Sequence, residues 1–133
     1  MNYSIEHVNS LRQKAIQWKL SAPAGFEECA LIDIQKMYNG IGPDRWDSGF
    51  RDRLTSVLTW CEPAVLVHDV DFSIKVRSFE VANDALEANA MKCAWFTTPW
   101  YRPMLWLARR GESRVMRELC DLGGKTAWDK AED

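Results

Sequence analysis

The sequence lacks a long apolar run, a block of like charges and a signal-like N-terminus. No apolar stretch reaches the roughly 18 to 20 residues that a membrane-spanning helix needs, so we predict no transmembrane segment. Lys and Arg number 17 against 19 Asp and Glu, and no basic patch marks a nucleic-acid binder. The start "MNYSIEHVNSLRQKAIQWKL" lacks the basic end, apolar centre and cleavage site of a secretory signal, which favours a cytoplasmic protein.

Metal-binding cysteine patterns are also absent. The four cysteines, Cys29, Cys61, Cys93 and Cys120, are about thirty residues apart, with no CxxC pair and no histidine at zinc-ligand spacing. We therefore predict no zinc site and four reduced, mostly buried thiols.

The length of 133 residues and the apolar spacing predict one mainly α domain over residues 1–133, without repeats or alternating strands. Residues 5–20 have helical apolar spacing, with Asn2 or Ser4 as the N-cap, and residues 26–38 are a short helix or an extended segment. Further helices are predicted over residues 50–60, from Pro63 to about residue 74, over 79–96, over 104–110 behind Pro103, and over 112–124, where Gly123 and Gly124 mark the end.

The two helices on either side of residues 75–78 predict a central antiparallel hairpin. His68 and Asp84 each lie about eight residues from its middle, so both are roughly 12 Å from the turn and are expected to face each other. A carboxylate that accepts the second imidazole proton fixes the tautomer of the ring, which is how a histidine becomes a general base. His68 and Asp84 are therefore candidate catalytic residues. The alternative for His68 is a hydrogen-bonded core residue, which a single histidine on an apolar helix more often is.

Asp69 points about 100° away from His68 and is available to bind a hard cation. Calcium takes carboxylate and backbone carbonyl oxygens, and the glycine-bent stretch "YNGIGP" at residues 38–43 is suited to supply carbonyls. Such an ion would hold a substrate oxygen and stabilise the charge that develops as water attacks. The pattern predicts calcium-assisted ester hydrolysis.

The combination of NGIGP, the downstream HDxxF and "ANDALEANA" resembles the phospholipase A2-like proteins, especially the short bacterial and phage-borne members with an NGCGP-like loop and an HDxxY helix. The resemblance covers residues 37–90, about two fifths of the chain. It implies a phospholipase A2-like fold in which His68 activates water and Asp84 orients His68. It also implies calcium ligands, namely Asp69 and the backbone carbonyls of Tyr38, Gly40 and Gly42.

The sequence departs from this family in several places. Phe72 replaces the tyrosine of HDxxY, Ile41 stands where the family often has cysteine, and the disulfide network of the secreted enzymes is missing. The separation between Gly42 and His68 is also longer than in the secreted enzymes. These departures favour a related fold over a guaranteed enzyme.

The segment "AWFTTPWYRPMLWLARR" at residues 94–110 is rich in tryptophan and arginine. Its side chains fit a core, a protein-binding surface or a lipid-facing surface, which we rank in that order. We expect Trp100 and Tyr101, on a loop between two prolines, to be exposed. The candidate surface residues are Trp95, Trp100, Tyr101, Arg102 and Trp106.

Two functional hypotheses follow. The first, which the sequence favours narrowly, is a calcium-dependent phospholipase or lipid esterase of phage or prophage origin that acts on phospholipid in the bacterial host, in the cytoplasm or peripheral to the membrane. The second is a non-catalytic phage accessory protein on the same scaffold that binds or inhibits a host protein through the Trp/Arg-rich surface. His7, near the N-terminus, is expected to be a solvated polar residue.

Overall fold

The protein is mainly α-helical, as predicted. A computed structural model describes residues 3–38 and 58–130, except for the side chains of 124–127 and 130. The helices are α1 (Ile5–Gln17), α2 (Leu31–Met37), α3 (Glu62–Ile74), α4 (Phe79–Thr97) and α5 (Pro103–Lys130), with a 3-10 turn at Thr59–Cys61 before α3. The described residues contain no strand. Residues 39–57, which include most of the helix predicted over 50–60, lie outside the described part.

The first helix begins where a polar cap was predicted. The Ser4 hydroxyl accepts a hydrogen bond from the backbone N–H of His7 at 3.1 Å, which satisfies one of the free amides of the first turn. Val8, Leu11 and Ala15 follow at helical spacing and are buried. The local pattern therefore determines both the start of α1 and its buried face.

Helix α3 is the centre of the structure. Pro63 occupies its first turn, and Ala64, Leu66, Val67 and Val70 are almost completely buried. It packs against α1, α2 and α4, which explains why apolar side chains surround it instead of forming one stripe. Because α3 is enclosed by other helices, its side chains are held in fixed positions by their packing.

The chain reverses direction between α3 and α4 at the predicted place. Lys75 ends α3 in the left-handed conformation, and the Ser78 hydroxyl caps α4 by accepting from the N–H of Val81. Arg77 in this turn makes a two-point ion pair with fully buried Asp71, with 2.9 Å from Nε to Oδ1 and 2.5 Å from Nη2 to Oδ2. Its Nη1 also donates to the hydroxyl of Ser21. This pair holds the turn against the segment that follows α1.

The prediction of two helices after Pro103 is wrong. Pro103 does open α5, but the helix continues through Gly111 and beyond Gly123 and Gly124 to Lys130. A glycine inside a helix costs only about 1 kcal/mol relative to alanine. The packing of α5 along α4, the most extensive helix pair in the described part, outweighs that cost.

The four cysteines are free thiols, as predicted. Cys61 and Cys93 are buried, and Cys29 and Cys120 are half-buried. Burial raises the pKa of the Cys93 thiol to about 12, which keeps it protonated and unreactive. Among the described helices, none is long and apolar enough to cross a membrane.

Candidate functional site

His68 lies inside the protein, between α3 and α4. Its Nε2 donates a hydrogen bond to Oδ1 of Asn83 at 2.8 Å, and Nδ2 of Asn83 donates in turn to Asp121 of α5 at 2.8 Å. The ring also packs against Phe72, with centroids 4.5 Å apart. Burial lowers the pKa of His68, although the hydrogen bond to Asn83 and the charge of Asp71 act in the opposite direction. The ring is therefore held in its neutral form.

The predicted contact between His68 and Asp84 is not the one in the structure. Asn83 takes that place, while Asp84 is 59% exposed in its side chain and pairs with Arg117 of α5. One residue along a helix turns the side chain by about 100°, so only one of the two neighbours can face α3. A neutral amide also gives the imidazolium much less stabilisation than a carboxylate would.

Two of the four predicted calcium ligands lie in the part of the chain that the structure describes. Gly40 and Gly42 lie outside the described residues, whereas Tyr38 and Asp69 lie within them. Asp69 is close enough for its charge to contribute to the raised pKa of Tyr38, after burial and the charge of Glu62 as larger causes. The described residues contain no group of three or more His, Cys, Asp and Glu side chains placed to hold a metal ion.

A second histidine, His7, is bonded to a carboxylate that the sequence pattern did not reveal. Its Nε2 lies 2.8 Å from Oε2 of buried Glu62, and the same oxygen accepts a hydrogen bond from the Tyr38 hydroxyl at 2.7 Å. The expectation of a solvated His7 is therefore wrong for one of its nitrogens. The two partners are 55 residues apart, so no local signal could have paired them.

This His7 and Glu62 pair borders a depression of about 430 Å³. The depression is also lined by Lys14 and by the indoles of Trp18 and Trp60. Arg109 of α5 lies over the Trp60 ring, with 5.3 Å from its Cζ to the ring centroid. The hydrogen bonds of Glu62 join the first turn of α1 and the C-cap of α2 to the start of α3, so these polar groups have a structural role.

Large aromatic side chains are exposed at the end of α4 and in the loop before α5. Trp95 is 71%, Trp100 92% and Tyr101 66% exposed, and Arg102 beside them is exposed too. We call these four residues the aromatic surface. The core assignment, which was ranked first for this segment, is wrong for the three aromatic residues, whereas the expected exposure of Trp100 and Tyr101 is confirmed. Trp106 differs, since it is half-buried in α5.

Comparison of the chain with protein-family models, curated proteins and solved structures found no match.

Proposed function

We propose that the protein is a non-catalytic binding module that binds a protein partner through its aromatic surface. The observation that supports this most strongly is Trp100, which is 92% exposed on the loop between α4 and α5. Its indole makes an edge contact with the Tyr101 ring, with centroids 5.8 Å apart. These two adjacent rings expose a large apolar area to solvent.

The residue types of the aromatic surface match those of protein interfaces. Trp, Tyr and Arg are enriched where a few side chains supply most of the binding energy. An exposed apolar patch also marks interaction sites in soluble proteins, because leaving it in water has a cost that binding removes. Trp95 and Trp100 would then be the anchors that a partner's pockets enclose.

The charges beside this surface favour a protein over a lipid bilayer. A lipid-facing surface would need several free arginines for anionic headgroups, whereas the aromatic surface contributes one, the exposed Arg102. Arg109 is engaged within the protein, because its Nη1 donates to the hydroxyls of Thr97 and Thr98 and its guanidinium covers Trp60. The formal net charge of the chain is −2, which gives no general attraction to an anionic membrane.

The phospholipase-like hydrolase is the second candidate. It is favoured by the position of His68 on α3 with a hydrogen-bonding side chain of α4 opposite to it, as a helix hairpin with a catalytic histidine requires. The burial of His68 and the neutral character of Asn83 weigh against it, since a general base must reach water and its charged form must be stabilised. We therefore rank binding first.

A site-specific crosslinker tests the binding function. A photo-reactive phenylalanine analogue in place of Trp100 should capture one protein from a bacterial lysate, the expected source if the chain is a phage accessory factor. The same analogue at exposed Gln17 on α1 is the control and should not capture it. The captured protein is then purified and its affinity for the unmodified chain is measured by calorimetry.

We expect Trp100→Ala to weaken that affinity by at least about thirtyfold, the equivalent of a 2 kcal/mol hot spot. Equal affinity of both chains for the purified partner would refute the proposal. Sedimentation with anionic vesicles tests the alternative of a lipid-binding surface. Such a surface would bind vesicles in the absence of a partner protein and would lose that binding in Trp100→Ala.

A further inference from the structure

Helix α5 has apolar side chains on two opposite sides. One side packs against the rest of the protein and includes buried Met116 and Trp128, with the small buried Ser113 between them around the helix. The other side is exposed from Met104 to Leu122, and its large apolar residues range from 47% exposure for Leu119 to 87% for Leu122. We call this side the outer stripe: Met104, Leu107, Gly111, Val115, Leu119 and Leu122.

The outer stripe lies on one face of the helix. At about 100° per residue its six positions fall within an arc of roughly 120°, and Ser113 lies about 160° away from Val115 around the helix. The same arc contains Ala108 and one charged residue, Glu118, whose carboxylate pairs with Arg114 along the helix. A helix packed on only one side is expected to be polar on the other. A second apolar face therefore indicates a second packing partner for α5.

We propose that the partner is a second copy of this chain, packed antiparallel along the outer stripe. Two antiparallel copies related by a two-fold axis at the level of Ser113 bring Met104 level with Leu122 of the other copy. The same axis brings Leu107 level with Leu119 and Gly111 level with Val115. A two-fold interface requires this kind of self-complementary surface, and the stripe has it at all three levels.

Gly111 supports the antiparallel arrangement. A side chain at this position would meet nothing within 4 Å in its own chain, and the residue has ordinary helical geometry, so the monomer has no need for glycine there. Glycine in a helix interior nevertheless lowers helix stability relative to alanine. In the antiparallel pair the glycine leaves room for Val115 of the other copy, whereas a parallel pair would place the two glycines together and leave a void.

The length of the stripe is sufficient for a weak specific dimer. The 19 residues from Met104 to Leu122 extend for roughly 27 Å at the α-helical rise. Two helices in contact over that length bury on the order of 1,000 Å² in total, which is the lower end of specific interfaces. We therefore expect a dimer whose population depends on protein concentration.

Sedimentation velocity over a concentration series tests the dimer. Val115→Lys should raise the dimer dissociation constant by at least about tenfold, because each dimer would enclose two ammonium groups. Gly111→Lys should weaken the dimer as well while raising the thermal midpoint of the monomer, because lysine is the better helix former. That combination excludes unfolding as the cause. Ile32→Lys, at an exposed apolar position of α2, is the matched control and should leave the dimer unchanged.

Disulfide trapping tests the direction of the helices. Mixing a Met104→Cys chain with a Leu122→Cys chain should give a crosslinked dimer upon mild oxidation, while either variant alone gives no more than the wild-type background. Crosslinking of the Met104→Cys chain to itself would indicate parallel packing and overturn the proposal, as would a monomer at all concentrations. A dimer lost in Trp100→Ala but retained in Val115→Lys would overturn it too, because copies would then meet through the aromatic surface. None of these results depends on the partner proposed for that surface.

Discussion

The buried ion pair between Asp71 and Arg77 predicts a large loss of stability when the guanidinium is removed. Asp71 on α3 is completely buried, and two nitrogens of Arg77 contact its two carboxylate oxygens. Arg77→Met keeps most of the aliphatic side chain but leaves the carboxylate without its counter-charge. Breaking a buried pair in this way costs about 3 to 5 kcal/mol, a large share of the 5 to 15 kcal/mol typical of a small domain.

The chain contains a matched control for this experiment. Arg114 and Glu118 on α5 form an exposed pair with 3.4 Å between Nε and Oε1, for which Arg114→Met should cost about 0.5 kcal/mol or less. Urea unfolding followed by circular dichroism measures both free energies of unfolding. A loss below about 1 kcal/mol for Arg77→Met would refute the reasoning, because Asp71 would then be solvated or otherwise compensated in the native state.

Two further predictions concern His68. Because burial lowers its folded-state pKa, the unfolded chain binds a proton first as the pH falls below about 6.5, so stability should decrease there by up to about 1.4 kcal/mol per pH unit. In His68→Gln, the free energy of unfolding obtained from urea titrations should change less between pH 7 and pH 5 than it does in the wild type. An equal pH dependence in both chains would contradict the neutral, buried ring. Second, we expect the protein not to hydrolyse phospholipid vesicles in the presence of calcium. Turnover that disappears in His68→Gln, together with calorimetric calcium binding that disappears in Asp69→Asn, would establish the hydrolase instead.

Several features of the fold could be predicted because local interactions determine them. The Ser4 cap, the opening prolines of α3 and α5 and the reversal near Lys75 each depend on a few neighbouring residues. The continuous helix through Gly111 could not be predicted, because a glycine stops a helix only when packing does not hold the backbone on both sides of it.

In the candidate site, too, local sequence predicted some features and tertiary packing decided others. The sequence placed His68 on a helix and a polar residue of the next helix opposite to it, but a rotation of 100° decided that this residue is Asn83 and not Asp84. Burial then determined the protonation of the ring, since the pKa depends on every element that excludes water from it.

The sequence by itself determined that this is a helical chain with an amphipathic first helix, a reversal between two central helices and a loop that presents Trp100. These features depend on residues close together in the chain, whose spacing and caps act locally. Only the tertiary structure decided that His7 meets Glu62, that Asp84 pairs with Arg117 and that α5 keeps a second apolar face exposed. Such contacts join residues that are distant in sequence, and they follow from how whole helices rotate and pack against one another.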